Sequence, residues 1–114
     1  MRYAMVIVKP HAEWQALSDT EGDFYSIVHW GTELKARGKV VAGEELAAPR
    51  TAASLSWPDE EAIVTDQPCL EGTGTVAGFL ILSVDSANEA MEIANSWPNK
   101  AGVRIEVRPV VGNW

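Results

Sequence analysis

The nine residues Val76–Val84 (VAGFLILSV) carry apolar side chains or glycine at every position but Ser83. Successive side chains of a strand point to opposite faces, so this strand must be covered on both sides and belongs at the centre of a sheet. The segment that feeds it, Asp66–Thr75 (DQPCLEGTGT), is polar and glycine-bearing and reads as a loop. A second stretch has the same double-faced character. In Arg2–Lys9 (RYAMVIVK), Tyr3, Met5 and Ile7 line one face and Ala4, Val6 and Val8 the other. Pro10 ends that strand, because it has no N–H to give to a ladder. Two strands that need neighbours on both faces constrain everything around them.

The remaining elements follow from local signals. Residues 10–18 form a loop with a short turn around Glu13–Leu17. Ser18 opens a helix with Glu21 in capping-box position. Phe24, Ile27, Val28, Gly31 and Leu34 form its core-facing stripe, Lys35 and Arg37 suit the negative end of the helix dipole, and Gly38 is the C′ residue. Lys39–Glu44 is a second strand. Thr51–Trp57 alternates with Thr51, Ala53, Leu55 and Trp57 on one side, Pro58-Asp59-Glu60 is a turn, and Glu61–Thr65 returns to complete a β-hairpin. Ser86 caps a second helix with Glu89 three positions on. Its stripe is Ala87, Ala90, Met91, Ala94 and Trp97, and Pro98 terminates it. Val103, Ile105 and Val107 define a last strand whose other face carries Arg104, Glu106 and Arg108, with Pro109 closing it.

The order is β-α-β, an inserted β-hairpin, then β-α-β. That predicts one α+β domain over residues 1–114, a ferredoxin-like split βαβ with the first and third core strands central. Two helices cover only one face of such a sheet. A second copy of the sheet is the simplest cover for the other face, so a homodimer is expected.

Charge narrows the function classes. Nine Lys and Arg against sixteen Asp and Glu give a formal net charge of −7, a field that repels phosphate backbones, so no direct nucleic-acid binding is expected. No apolar run approaches the ~20 residues of a membrane helix, and Met1–Val8 is too short for a secretory signal. The single cysteine, Cys69, has no internal disulfide partner, and no Cys/His pair has zinc-ligand spacing. A cytoplasmic protein without metal or cofactor is the expectation.

Four segments, RYAMVIV, ELKARGKVVAGEEL, TDQP followed by AGFLIL, and the final EVRPV, carry a family likeness in order and with matching spacing. The chain resembles the YCII-related proteins, in the branch named for its Asp-Gly-Pro-Phe motif. That resemblance implies a ferredoxin-like fold that dimerises sheet to sheet as a dimeric α+β barrel, with a cleft near the signature loop. Some YCII-like members are dehydrochlorinases or related enzymes using a His/Asp pair, and members of this branch are often encoded beside extracytoplasmic-function sigma factors. At the signature, Asp66 and Pro68 match, whereas Gln67 replaces the Gly and Cys69 the Phe. Glu71 matches the acidic position, and Thr73 and Gly74 stand where a Lys-Glu pair is usual.

The candidate site residues each have a structural alternative. Asp66 either lines a cleft or caps the backbone N–H groups of its loop. Glu71 is its acid/base partner or a solvated carboxylate. His11, beside Lys9 in the loop after the first strand, is the better titrating candidate, whereas His29 points away from the core stripe and reads as surface. Arg104 and Arg108 either pair with acids or hold an anionic ligand. Gly72–Ala77 matches G-x-G-x-x-A, but a strand follows it instead of the helix that phosphate binding requires, so the fingerprint is rejected. Cys69 reads as an inert thiol. Trp57 and Trp97 read as packing residues, as do Trp14 and Trp30 beside the two histidines. The expected function is binding of a small-molecule ligand, with or without turnover, in a cleft at the Asp66–Pro68 loop walled by the hairpin 51–65. The alternative is a non-catalytic regulatory partner in extracytoplasmic-function sigma-factor control.

Overall fold

The computed structural model describes residues 1–10, 21–68, 74–98 and 102–112, with the backbone alone over 21–25. Its elements are β1 (Arg2–Pro10), α1 (Glu21–Ala36), β2 (Val40–Glu45), a 3₁₀ turn (Pro49–Thr51), β3 (Ser54–Ser56), β4 (Ile63–Thr65), β5 (Gly74–Ser83), α2 (Ala87–Asn95) and β6 (Arg104–Pro109). Strands β2-β5-β1-β6 form a four-stranded sheet in that order, and every neighbouring pair is antiparallel. The double-faced strands β5 and β1 occupy its centre. Strands β3 and β4 make a separate two-stranded ribbon. The protein is an α+β fold.

Register assigns every side chain to a face. Met5 sits between Leu80 and Val107, and Tyr3 between Leu82 and Pro109. This face meets the helices. Tyr3, Met5, Ile7 and Leu82 join Leu34, Ala90, Ile93, Ala94 and Trp97 in the buried core, and Leu80, Ile105 and Val107 pack against it. On the opposite face Val6 lies between Phe79 and Glu106, and Ala4 between Ile81 and Arg108. No described helix residue covers this second face, and its apolar side chains remain half-buried.

Both helices are rotated from their expected stripes. In α1 the core-facing residues are Ile27, Trp30 and Leu34, and Val28 is exposed. Trp30 decides the rotation. Its ring meets Trp97 edge to face at 5.1 Å, and its Nε1–H donates to Ser96 Oγ at 2.8 Å, so the larger ring takes the burial that Val28 gives up. In α2 Ile93 joins Ala90, Ala94 and Trp97 in the core, whereas Met91 and Ala87 are exposed. Ala90, Ile93 and Trp97 are three and four residues apart, so they share one face. Ser18, the turn at 13–17, Trp14 and the side chain of Phe24 lie outside the described residues.

The helix ends are fixed by hydrogen bonds. Gly38 adopts φ 73°, its N–H donates to the Lys35 carbonyl at 3.0 Å, and the Lys39 N–H reaches the Leu34 carbonyl at 2.9 Å. This is the Schellman closure that a C′ glycine permits. At the start of α2 the Ser86 hydroxyl accepts from the Glu89 N–H at 3.1 Å. Glu89 Oε1 in turn accepts from the Asp85 N–H at 2.9 Å.

Three boundaries differ from expectation. Thr51–Ala53 is not strand, because Pro49 starts a 3₁₀ turn that the Thr51 hydroxyl stabilises by donating to the Ala48 carbonyl at 2.6 Å. The hairpin therefore pairs only Ser54–Ser56 with Ile63–Thr65. Strand β5 begins at Gly74, since Lys9 and Pro10 of β1 pair with Thr75 and Gly74. Among the described residues no helix is long and apolar enough to cross a membrane.

Candidate pocket at the foot of the hairpin

The insertion between β2 and β5 is anchored at its base. The Leu46 N–H donates to the Ala77 carbonyl at 2.9 Å, and the Ser54 hydroxyl donates to the Gln67 carbonyl. Between these ties the chain leaves the edge of the sheet, turns at Pro49, and opens a concavity of about 340 Å³ against the start of β5. Leu46, Ala52, Ala53, Pro68 and Val76 give it apolar walls. That volume lies at the low end of small-molecule sites.

Its polar groups are hydroxyls. Thr51 and Ser54 already donate to the Ala48 and Gln67 carbonyls, and their oxygens can still accept. Thr75 differs. It borders the concavity, is buried, and its Oγ1 has no hydrogen-bond partner among the described residues. A buried hydroxyl left in this state costs about 1–3 kcal/mol. No charged side chain is among the described lining residues.

The structure separates the expected site residues. Pro68 of the signature borders the concavity, whereas Asp66 is exposed at the base of β4 and is not among the lining residues. Arg104 and Arg108 project from β6 on the sheet face away from the helices and are exposed. The Arg108 guanidinium pairs with Glu106 at 3.4 Å. That of Arg104 lies over Gly74, where a side chain would bring a Cβ within 3.0 Å of Nη2 and 2.8 Å of Val8 Cγ1. His29 is on the exposed side of α1. His11, Glu71, Cys69 and the Gly72–Thr73 part of the rejected fingerprint lie outside the described residues. Among the described residues no group of three His, Cys, Asp or Glu side chains could hold a metal ion.

Thr75 is the residue that sequence reasoning missed. Assigning Asp66–Thr75 to a loop hid the fact that Thr75 pairs with Lys9 inside the sheet. The available signal was a hydroxyl two residues before Ala77 on a strand that otherwise buries only apolar groups.

No protein-family model matches this chain, and no curated protein matches it.

Proposed function

We propose that the chain is a cytoplasmic, dimeric, ferredoxin-like protein of the YCII-related type that binds a small neutral molecule at the foot of the Asp66–Pro68 loop. The observation that carries this reading is the concavity of about 340 Å³ at the foot of this loop, whose described lining is apolar side chains and hydroxyls. The strand order β2-β5-β1-β6 supports the ferredoxin-like assignment, and the sheet face that no described helix residue covers supports pairing of two sheets. The test is a titration of the labelled protein with neutral hydroxyl- and carbonyl-bearing fragments, followed by backbone amide shifts. Shifts should cluster at Ala52, Ala53, Thr75 and Val76, with the millimolar affinities usual for fragments. Ala53→Trp, which fills the concavity, should abolish them. If no fragment moves those amides, or if Ala53→Trp leaves the response intact, the reading fails.

A second reading is favoured by one observation. The hairpin exposes large apolar side chains, as a protein that regulates another through direct contact would. A sigma-factor partner of the extracytoplasmic-function class is the form that reading takes, and co-purification with such a factor is its test.

A further inference from the structure

The walls of the concavity differ in how they are held. Thr75 and Val76 belong to β5, the strand that pairs with both β1 and β2. The rest of the described lining comes from the chain between Leu46 and Ser54, together with Pro68. The described backbone tie of that segment to the sheet is the Leu46 N–H on the Ala77 carbonyl at 2.9 Å. Past that point the backbone bonds described over 47–53 are local. The Thr51 N–H donates to the Ala48 carbonyl at 2.9 Å, and the Ala52 N–H to the Pro49 carbonyl at 3.0 Å. These bonds shape the 3₁₀ turn without fastening it to β5.

The same wall runs without a break into the arm β3–β4. Ser54 is both a lining residue and the first residue of β3. Its hydroxyl joins the two limbs of the arm through the Gln67 carbonyl, next to Pro68. Outward from there the arm has little to lean on. Its strands have three residues each and pack principally on each other, and Leu55, Trp57, Ile63 and Val64 are all between 49% and 65% exposed. A two-stranded ribbon is marginal alone in water, and an element with few buried apolar contacts opens at low free energy. The order of the arm therefore depends on its root, and the root is the pocket wall.

We propose that the pocket sets the order of the arm: a molecule held in the concavity touches the 46–54 wall and β5 at once, and so fastens the root of the arm to the sheet. Such a molecule binds this arrangement better than any in which the root has lifted off β5, because one wall of its site is then gone. That difference in affinity is what shifts the population. The coupling is reciprocal, so a contact that steadies the arm also tightens the pocket. The device rests on the small-molecule reading above and adds to it what binding does to the rest of the chain.

The experiment is hydrogen exchange of the full chain, read amide by amide by NMR, for wild type, Val76→Phe and Val76→Ala. Val76 stands on the β5 wall, so the first variant fills the concavity from the sheet side and the second widens it, neither altering the arm or its root. The amides of Ser54–Ser56 and Ile63–Thr65 should exchange at least about tenfold more slowly in Val76→Phe than in Val76→Ala, with wild type between them. The amides of Met5 and Leu82, in the core, report that each variant is folded. If Val76→Phe does not fold, the comparison of wild type with Val76→Ala still decides. Arm amides that exchange equally in those two, with Met5 and Leu82 protected in both, overturn the coupling. If the arm follows the variants while no fragment moves the Thr75 and Val76 amides, the coupling stands and the small-molecule reading falls.

Discussion

Glu89 does two jobs at the start of α2. It accepts from the Asp85 N–H and pairs with Lys39 Nζ at 3.0 Å, tying the helix to the residue before β2. The Asp85 hydrogen bond first, and the Lys39 ammonium second, hold its carboxyl below the usual glutamate range. A carboxyl whose folded pKa lies below its unfolded one stabilises the fold above the unfolded value. That contribution fades as pH falls through the folded value. Glu89→Gln should therefore lower the urea midpoint at neutral pH, and the gap to wild type should close on acidification below about pH 4. A gap that stays constant from neutral to acid would show that the charge contributes nothing.

At the scale of elements, β5 is the strand on which the two halves of the molecule meet. Leu80 faces the helices and packs against the core, whereas Phe79, its neighbour, faces the other way beside Val6. Leu80→Asp sets an unpaired carboxylate against the buried core and should destabilise the chain by at least about 3 kcal/mol. Phe79→Asp places the same group on the uncovered face, so the monomer should stay folded with its cooperative transition intact while self-association is lost. Chemical denaturation read beside light scattering separates the two outcomes. Equal unfolding by both variants would mean that the uncovered face is as essential to the monomer as the core.

The whole molecule has a radius of gyration of 15.7 Å and extents of 45 × 36 × 19 Å, against about 13 Å for a compact 100-residue domain. The body is thin, and no described helix residue covers one of its sheet faces. If the proposed dimer forms, light scattering at micromolar concentration should return twice the chain mass of 12.4 kDa. A mass of one chain would refute the dimer.

The sequence by itself determined the features that depend on local chemistry or on strict alternation. Both faces of β1 and β5 are apolar, which placed them at the centre of the sheet. Gly38 marked a helix end because a left-handed residue was needed there, and Ser86 marked a helix start because its hydroxyl could cap Glu89. Of the signature residues described, Pro68 borders the concavity and Asp66 does not, and the parity of Thr75 could not be read while its pairing with Lys9 was unknown. Other features were decided by contacts between residues far apart in the chain. Phe79 and Leu80 are equally apolar, so only the docked helices distinguish their faces. Val28 and Trp30 competed for burial until Trp97, some seventy residues away, supplied a partner for the ring. Alternation in 51–57 announced a hairpin, yet whether it lay on the core or stood free depended on the length of the segment that carries it off the sheet edge. Periodicity fixes which side chains share a face, and only the packed structure settles what that face meets.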